Sequence, residues 1–361
     1  MAAPSPVSRL TFVDWTRGLA ATVMLQGHVF HAFTRPDLRT EGPYVLSQFV
    51  GGMPPAIFLF LTGVTLAFMM HRSDRQGLSG GRKIITALGR ATFLFGIAMA
   101  LRIQLWLFSW PHSHWSDLLK VDILNCMGFG IAVLAVMSVF PALDRARLCA
   151  VLGVSIAAAA PLISQLDWSQ APLLLRNYLA PDYNYFSFFP WAAFLAFGLS
   201  AGSILRATAP ENMSRLMQWA CLGGFGLVLG GQYFSNLPYS VYPKSEFWLD
   251  SPALVFIKLG LILVILAFAY LWTQFGAGET WSWVRQLGTT SLLVYWVHIE
   301  LVYGRWFQGW KESLNAGQVA AAACALTLLM IAVSVIRTNW NNWRNWLRAA
   351  GLGYSPEASG E

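Results

Sequence analysis

A chain of 361 residues with 56% hydrophobic and 11% charged side chains, and a mean hydropathy of +0.51, falls outside the soluble globular class, where about 25% of residues carry charge. Its apolar runs approach the roughly 20 residues that cross a bilayer as a helix, and they lack the even alternation of a membrane barrel strand. A formal net charge of +7 excludes little by itself, but the basic residues are scattered over short loops, which suits membrane orientation and not nucleic-acid binding.

The pattern predicts an all-α polytopic membrane helix bundle of about ten transmembrane helices, over 11–33, 44–70, 84–108, 121–140, 147–165, 186–206, 214–234, 252–273, 286–303 and 317–336. No linker-like stretch or internal repeat divides it, so 1–336 reads as one transmembrane domain. The segment 337–361, with Trp340, Trp343 and Trp346 at spacing three among Arg337, Arg344 and Arg348, reads as an amphipathic tail lying in the interface.

The first helix, RLTFVDWTRGLAATVMLQGHVFHAF, carries Asp14, Arg17, His28 and His31 in an otherwise apolar run. It is too long and too charged for a cleavable signal. Asp14 and Arg17 are neighbours at i, i+3, and His28 returns to within about 20° of their face, about 16 Å further along. Asp14–Arg17 reads equally as a structural ion pair, and a lone imidazole equally as a packing residue. In the second run, GGMPPAIFLFLTG, Pro54 and Pro55 bend or start the span.

Arg90 enters the third helix and Arg102 lies towards its far end, while Asp122 and Asn125 open the fourth. Pro161 interrupts the fifth, and Lys258 sits one to two turns into the eighth. In the ninth, LGTTSLLVYWVHIEL, the spacings four and three put Ser291, Tyr295 and His298 on one face. Glu300 points elsewhere, towards a pairing with Lys258 or Arg102. Cys126, Cys149, Cys221 and Cys324 fall within predicted spans without ligand-like spacing, so no metal site is expected.

Lys and Arg outside the spans number thirteen on the side of the two termini and seven on the other. The richer side is cytoplasmic, so both termini are expected inside. The opposite loops are rich in Trp, Tyr, Phe, His and Asp, a composition that suits a polar, ring-bearing acceptor and interfacial anchoring alike. Ionisable groups within spans face a protein interior or a hydrated path. They admit a proton-coupled transporter or lipid-linked substrate flippase as the alternative to an enzyme, although the repeated halves common in carriers are absent.

The opening VDWTRGLAATVMLQGH resembles the D-x-x-R-G-hydrophobic-Ala start of transmembrane acyltransferases. These include the heparan-alpha-glucosaminide N-acetyltransferase catalytic-domain family and the related membrane acyltransferase family three. PAIFLFLTGVTLAF, RKIITALGRATFLFGIAM, DILNCMGFGIAV, YFSFFPWAAFLAFGLSAG and LGTTSLLVYWVHIEL follow in the matching order, up to about residue 303.

The resemblance implies acyl-CoA, by family default acetyl-CoA, as donor, a hydroxyl or amine of a sugar or glycan-like acceptor on the outer side, and the cytoplasmic membrane of a bacterium. On that basis Arg17, Arg90 and the loop of Arg72, Arg75, Arg82 and Lys83 are expected to meet the donor phosphates, with Asp14 in the cofactor site beside Arg17. His28 is expected to be general base or acyl carrier, and His298, Asp122, Asn125 and Tyr295 its supporting groups. Where the heparan-type members carry Asn this chain has His28, the residue type of the O-acylating branch, which leaves hydroxyl and amine acceptors both open.

Overall fold

The computed structural model describes residues 10–276 and 281–349, and side chains as far as Trp340. Thirteen α-helices follow in chain order: α1 Thr11–Phe33, α2 Gly42–Gly51, α3 Pro54–Arg75, α4 Gly80–Phe108, α5 Ile123–Leu134, α6 Ala142–Ser164, α7 Leu173–Leu179, α8 Phe188–Ala207, α9 Met213–Ser235, α10 Pro252–Leu271, α11 Trp283–Thr289, α12 Ser291–Tyr303 and α13 Ala316–Ala349. Among the described residues the β-structure is one isolated bridge, Thr34 to Leu314.

Among the described residues, six helical runs are long and apolar enough to cross a membrane: Gly42–Arg75, Gly80–Phe108, Ala142–Ser164, Phe188–Ala207, Pro252–Gly276 and Ala316–Trp340. The 23-residue α1 and α9 are not among them. In α1 the reason is its charged and imidazole groups, and in α9 its run of glycines.

Three expected boundaries move. The run 44–70 divides at Gly52–Met53, because Pro54 and Pro55 have no amide hydrogen to continue a helix from α2 and instead start α3. The run 286–303 divides at Thr290, where the Thr289 and Thr290 hydroxyls both donate to the Gln286 carbonyl and compete with the helix ladder. Pro161 does not interrupt the fifth span, since α6 continues through it to Ser164. The helix of the expected tail is continuous with α13 as far as Ala349, and residues 350–361 lie outside the described residues.

The described residues form two compact units, one drawn from within 1–13 and 52–278 and the other from within 14–51 and 279–361. In the first unit α8 is the most enclosed helix. Its sequence, FFPWAAFLAFGLSAGSILRA, supplies Ala192, Ala193, Ala196, Gly198, Ser200, Gly202 and Ser203, all buried. Small side chains let neighbouring backbones approach closely where lipid gives helices no hydrophobic drive to associate. A methyl on Gly198 would strike the Phe60 carbonyl of α3, and one on Gly63 would strike Leu195 of α8. Phe60, Leu59, Leu61, Phe194, Leu195 and Leu199 fill the core around that crossing. Gly224 of α9 and Gly260 of α10 make the same kind of contact.

Arg145, which precedes the expected span 147–165 and so reads from sequence as a loop charge, lies in the first turn of α6 and is completely buried. Its guanidinium donates to Asp74 at 3.0 Å and Ser203 at 3.3 Å, and Asp74 also holds Lys83 at 2.6 Å. An enclosed charge of this kind persists only when paired and hydrogen-bonded.

In the second unit Gly18 of α1 abuts the Val284 carbonyl of α11, and Gly288 abuts the Asp14 carbonyl. Gln286 donates from Nε2 to the Ser334 carbonyl and hydroxyl and to the Thr338 hydroxyl, each at 3.0 Å, tying α11 to α13. Helix α2 is held to α1 by Gln26 with Ser47 and by Gln48 donating to the Gly27 carbonyl at 3.1 Å. These crossings fix the direction of α1 relative to α12, on which the functional geometry depends.

Candidate functional site

The two helices α1 and α12 bring His28 and His298, 270 residues apart in sequence, to a ring nitrogen separation of 2.9 Å between His28 Nδ1 and His298 Nε2. His298 is fully buried, and His28 is half-buried. The rings are nearly parallel, at 13°, with centroids 5.1 Å apart.

The other nitrogen of His298, Nδ1, lies 2.8 Å from the Val294 carbonyl oxygen one turn earlier. A carbonyl only accepts, so Nδ1 of His298 carries the hydrogen. In the neutral ring Nε2 is then bare and accepts, and the donor in the His28–His298 bond is His28 Nδ1. His28 is left with a lone pair on Nε2. The order of protons follows from the hydrogen-bond network, and it leaves one unsubstituted basic nitrogen with no protein partner among the described residues.

Tyr295 packs edge-on against His298 at 5.7 Å, as its helical spacing predicts. Tyr303 was not singled out by the sequence reading. Its ring lies 5.4 Å from His28, and its hydroxyl is 3.2 Å from His31 Nδ1. At about 100° per residue it stands about 140° round α12 from His298, so periodicity could not have grouped the two. Just beyond it, Lys311 donates to the Tyr303 and Gly304 carbonyls at 3.0 and 2.7 Å, and burial holds its ammonium below the ordinary lysine range.

Asp14 and Arg17 form an ion pair at 3.0 Å one to two turns into α1, with the Asp14 side chain 7% and the Arg17 side chain 20% exposed. Glu300 was expected to meet Lys258 or Arg102. It accepts from Trp306 Nε1 at 3.1 Å instead, because it and Trp306 flank the turn that ends α12.

The remaining expected residues belong to the first unit. Asp122 caps α5: its Oδ1 accepts from the Leu124 and Asn125 amides at 3.0 and 3.1 Å, while Oδ2 takes Arg102 at 3.3 Å. Asn125 completes a capping box with the Asp122 amide and donates to the Tyr178 hydroxyl at 3.1 Å. Arg90 stands on an exposed face of α4 with its guanidinium 5.3 Å from the Phe93 ring, and it has no ion pair among the described residues. Lys258 lies 5.0 Å over the Trp191 ring.

Of the sites expected from sequence, the fold therefore joins His28, His298 and Tyr295 in one cluster and Asp14 with Arg17 in another. It commits the polar atoms of Asp122 and Asn125 largely to a helix start.

A comparison with curated proteins finds no match to the chain. The family model described as "Heparan-alpha-glucosaminide N-acetyltransferase, catalytic" matches residues 9–232, more than half of the chain. The matched segment runs from just before α1 to near the end of α9, and so contains His28 but ends before α12 and His298. With that match over a bundle of apolar helices, the chain belongs to the heparan-alpha-glucosaminide N-acetyltransferase catalytic-domain family of membrane acetyltransferases.

Proposed function

We propose that the protein transfers an acetyl group from acetyl-CoA, supplied from the cytoplasm, to a hydroxyl or amine of a sugar-like acceptor on the opposite side, with His28 as general base. The observation that carries this reading is the His28–His298 hydrogen bond and the single basic nitrogen it leaves on His28. His28 Nε2 takes the proton of the acceptor as its oxygen or nitrogen bonds to the acyl carbon, and returns that proton to the departing sulfur. His298 is a positioning residue, since it fixes the tautomer and accepts from the imidazolium that forms. Tyr295 buttresses His298.

Asp14 orients Arg17 by their ion pair, which makes Arg17 the cation assigned to the donor phosphates in its unit. Arg90 belongs to the first unit, where its guanidinium stands open beside Phe93. Asp122 and Asn125 serve by starting α5. The excess of Lys and Arg on the side of the termini supports both termini in the cytoplasm, with about ten spans between them.

The test is acetyl transfer by the full chain in nanodiscs, with radiolabelled acetyl-CoA and a glucosamine acceptor. His28→Ala should lower turnover by about 100- to 10,000-fold, the range for loss of a positioned base, at an unchanged unfolding temperature. Wild-type turnover in that variant would remove His28 from the chemistry.

A further inference from the structure

In the first unit, cations gather around one carboxylate where α3 and α8 end and α6 begins. Asp74, next to last in α3, has both oxygens committed: Oδ1 accepts from Lys83 at 2.6 Å and Oδ2 from Arg145 at 3.0 Å. His71, one turn before Arg75, lies within electrostatic reach of Arg206, Asp74, Arg75 and Arg145, and Arg206 lies within that of Arg75. Neither Arg75 nor Arg206 has an ion pair or a side-chain hydrogen bond among the described residues. We propose that Arg206 and Arg75 bind the phosphate of an anionic phospholipid.

Arg206 is a held group and not a loose surface charge. Its guanidinium carbon rests 4.1 Å from the Phe68 ring centroid, and its Nε is enclosed without a protein acceptor. A ring face attracts a cation but brings no negative charge to cancel it. A partly buried guanidinium without a counter-ion is unfavourable, and Arg75 beside it adds repulsion. Asp74 cannot turn to Arg206 without releasing Lys83 or Arg145. Arg145 deepens the deficit: it is completely buried, its Nε and Nη2 donate to Ser203 and Asp74, and its Nη1 has no partner. The missing anion therefore comes from outside the chain.

Helices α3, α6 and α8 all belong to runs long and apolar enough to cross a membrane. Their charged ends fall at headgroup depth, where the phosphodiester is the anion at hand and basic pockets between helices recognise it. Guanidinium forks match its oxygens. The uncompensated positive charge selects a headgroup without a cation of its own, phosphatidylglycerol over phosphatidylcholine, whose choline would meet Arg75 and Arg206 as a like charge. The proposed orientation of the termini places this lipid in the inner leaflet, and only the leaflet depends on it.

The experiment is native mass spectrometry of the purified full chain in neutral detergent, titrated with phosphatidylglycerol or phosphatidylcholine, with inorganic phosphate and CoA as competitors in separate arms. Phosphatidylglycerol should bind more tightly than phosphatidylcholine, and neither competitor at equal concentration should displace it. Arg206→Gln should weaken phosphatidylglycerol binding about fivefold or more, the contribution of one cation near an anionic lipid surface, at an unchanged unfolding temperature. Arg75→Gln, at an exposed helix end, should weaken it likewise and carries the test if Arg206→Gln does not fold. Arg147→Gln removes a charge from the exposed surface at the same end of α6 and should leave binding unchanged. Equal affinity for the two lipids, undiminished binding in either folded variant, or an equal loss in Arg147→Gln would each overturn the assignment. So would displacement by inorganic phosphate, or by CoA, which would return Arg75 to the donor. No group transfer enters the measurement, so its failure leaves the His28 reading standing, and failure of the His28→Ala test leaves this one standing.

Discussion

Replacing His298 by Phe separates a positioning role from a packing role. The side chain is fully buried, and Phe preserves a flat ring there, so the main loss is the acceptor for His28 Nδ1 and the donor to Val294. An unsatisfied buried donor costs about 1–3 kcal/mol. His28 escapes part of that cost by moving its hydrogen to Nε2, the position from which it would act as base. The imidazolium formed during transfer also loses a charge-assisted hydrogen bond, a contribution of about 1.5–3 kcal/mol. At 1.36 kcal/mol per decade of rate, turnover should fall about 10- to 150-fold. The KM for acetyl-CoA should stay within about twofold, since the pair is about 16 Å along α1 from Arg17. His298→Gln restores an acceptor and should recover turnover to within about tenfold of wild type. The double variant with His28→Ala should be no slower than His28→Ala alone, because residues acting as one unit are not additive. The assay is steady-state acetyl transfer in nanodiscs alongside thermal unfolding. Turnover within twofold of wild type in His298→Phe, or losses that multiply in the double variant, would refute the reasoning.

Four further substitutions test the frame and the cap. Gly198→Ala places a methyl against the Phe60 carbonyl, a backbone atom that cannot rotate aside, so thermal unfolding should report a loss of about 1–3 kcal/mol or more. Gly223→Ala, where nothing lies within 4 Å, should be neutral in the same assay. Asp122→Asn retains the Oδ1 that caps α5 and should keep transfer within about threefold of wild type, whereas Asp122→Ala should lose about a further 1 kcal/mol of stability with the cap. A hundredfold loss of transfer in Asp122→Asn at unchanged unfolding temperature would return that carboxylate to the chemistry.

The first helix was legible to its ends, 11–33 expected and Thr11–Phe33 found, because its pattern is continuous and its interruptions are side chains, not backbone. The second run misled for the opposite reason. An apolar window is blind to Gly51, Gly52 and two prolines, and it fused α2 with α3. Arg145 looked like a loop charge because it stands four positions after Pro141, before the apolar run begins. Its carboxylate partner, Asp74, lies 71 positions earlier, a distance at which no local pattern speaks. The same limit applies to the two histidines. Spacing could put each on a face of its own helix, but only the glycine crossings that orient α1 and α11 allow the faces to meet.

Ionisable groups in a membrane protein attract functional readings indiscriminately, and counting satisfied atoms separates them. Asp74, Lys83 and Arg145 are joined to one another. Asp122, whose spacing to Asn125 was that of a capping box all along, gives one oxygen to two amides and the other to Arg102. His28 belongs to a different class: one nitrogen is fixed by a partner and the other is left over. A group held at one atom and open at the next has lost the entropy of being positioned and still has a bond to make, and by that criterion His28 is the group to which the proposed acetyl transfer is assigned.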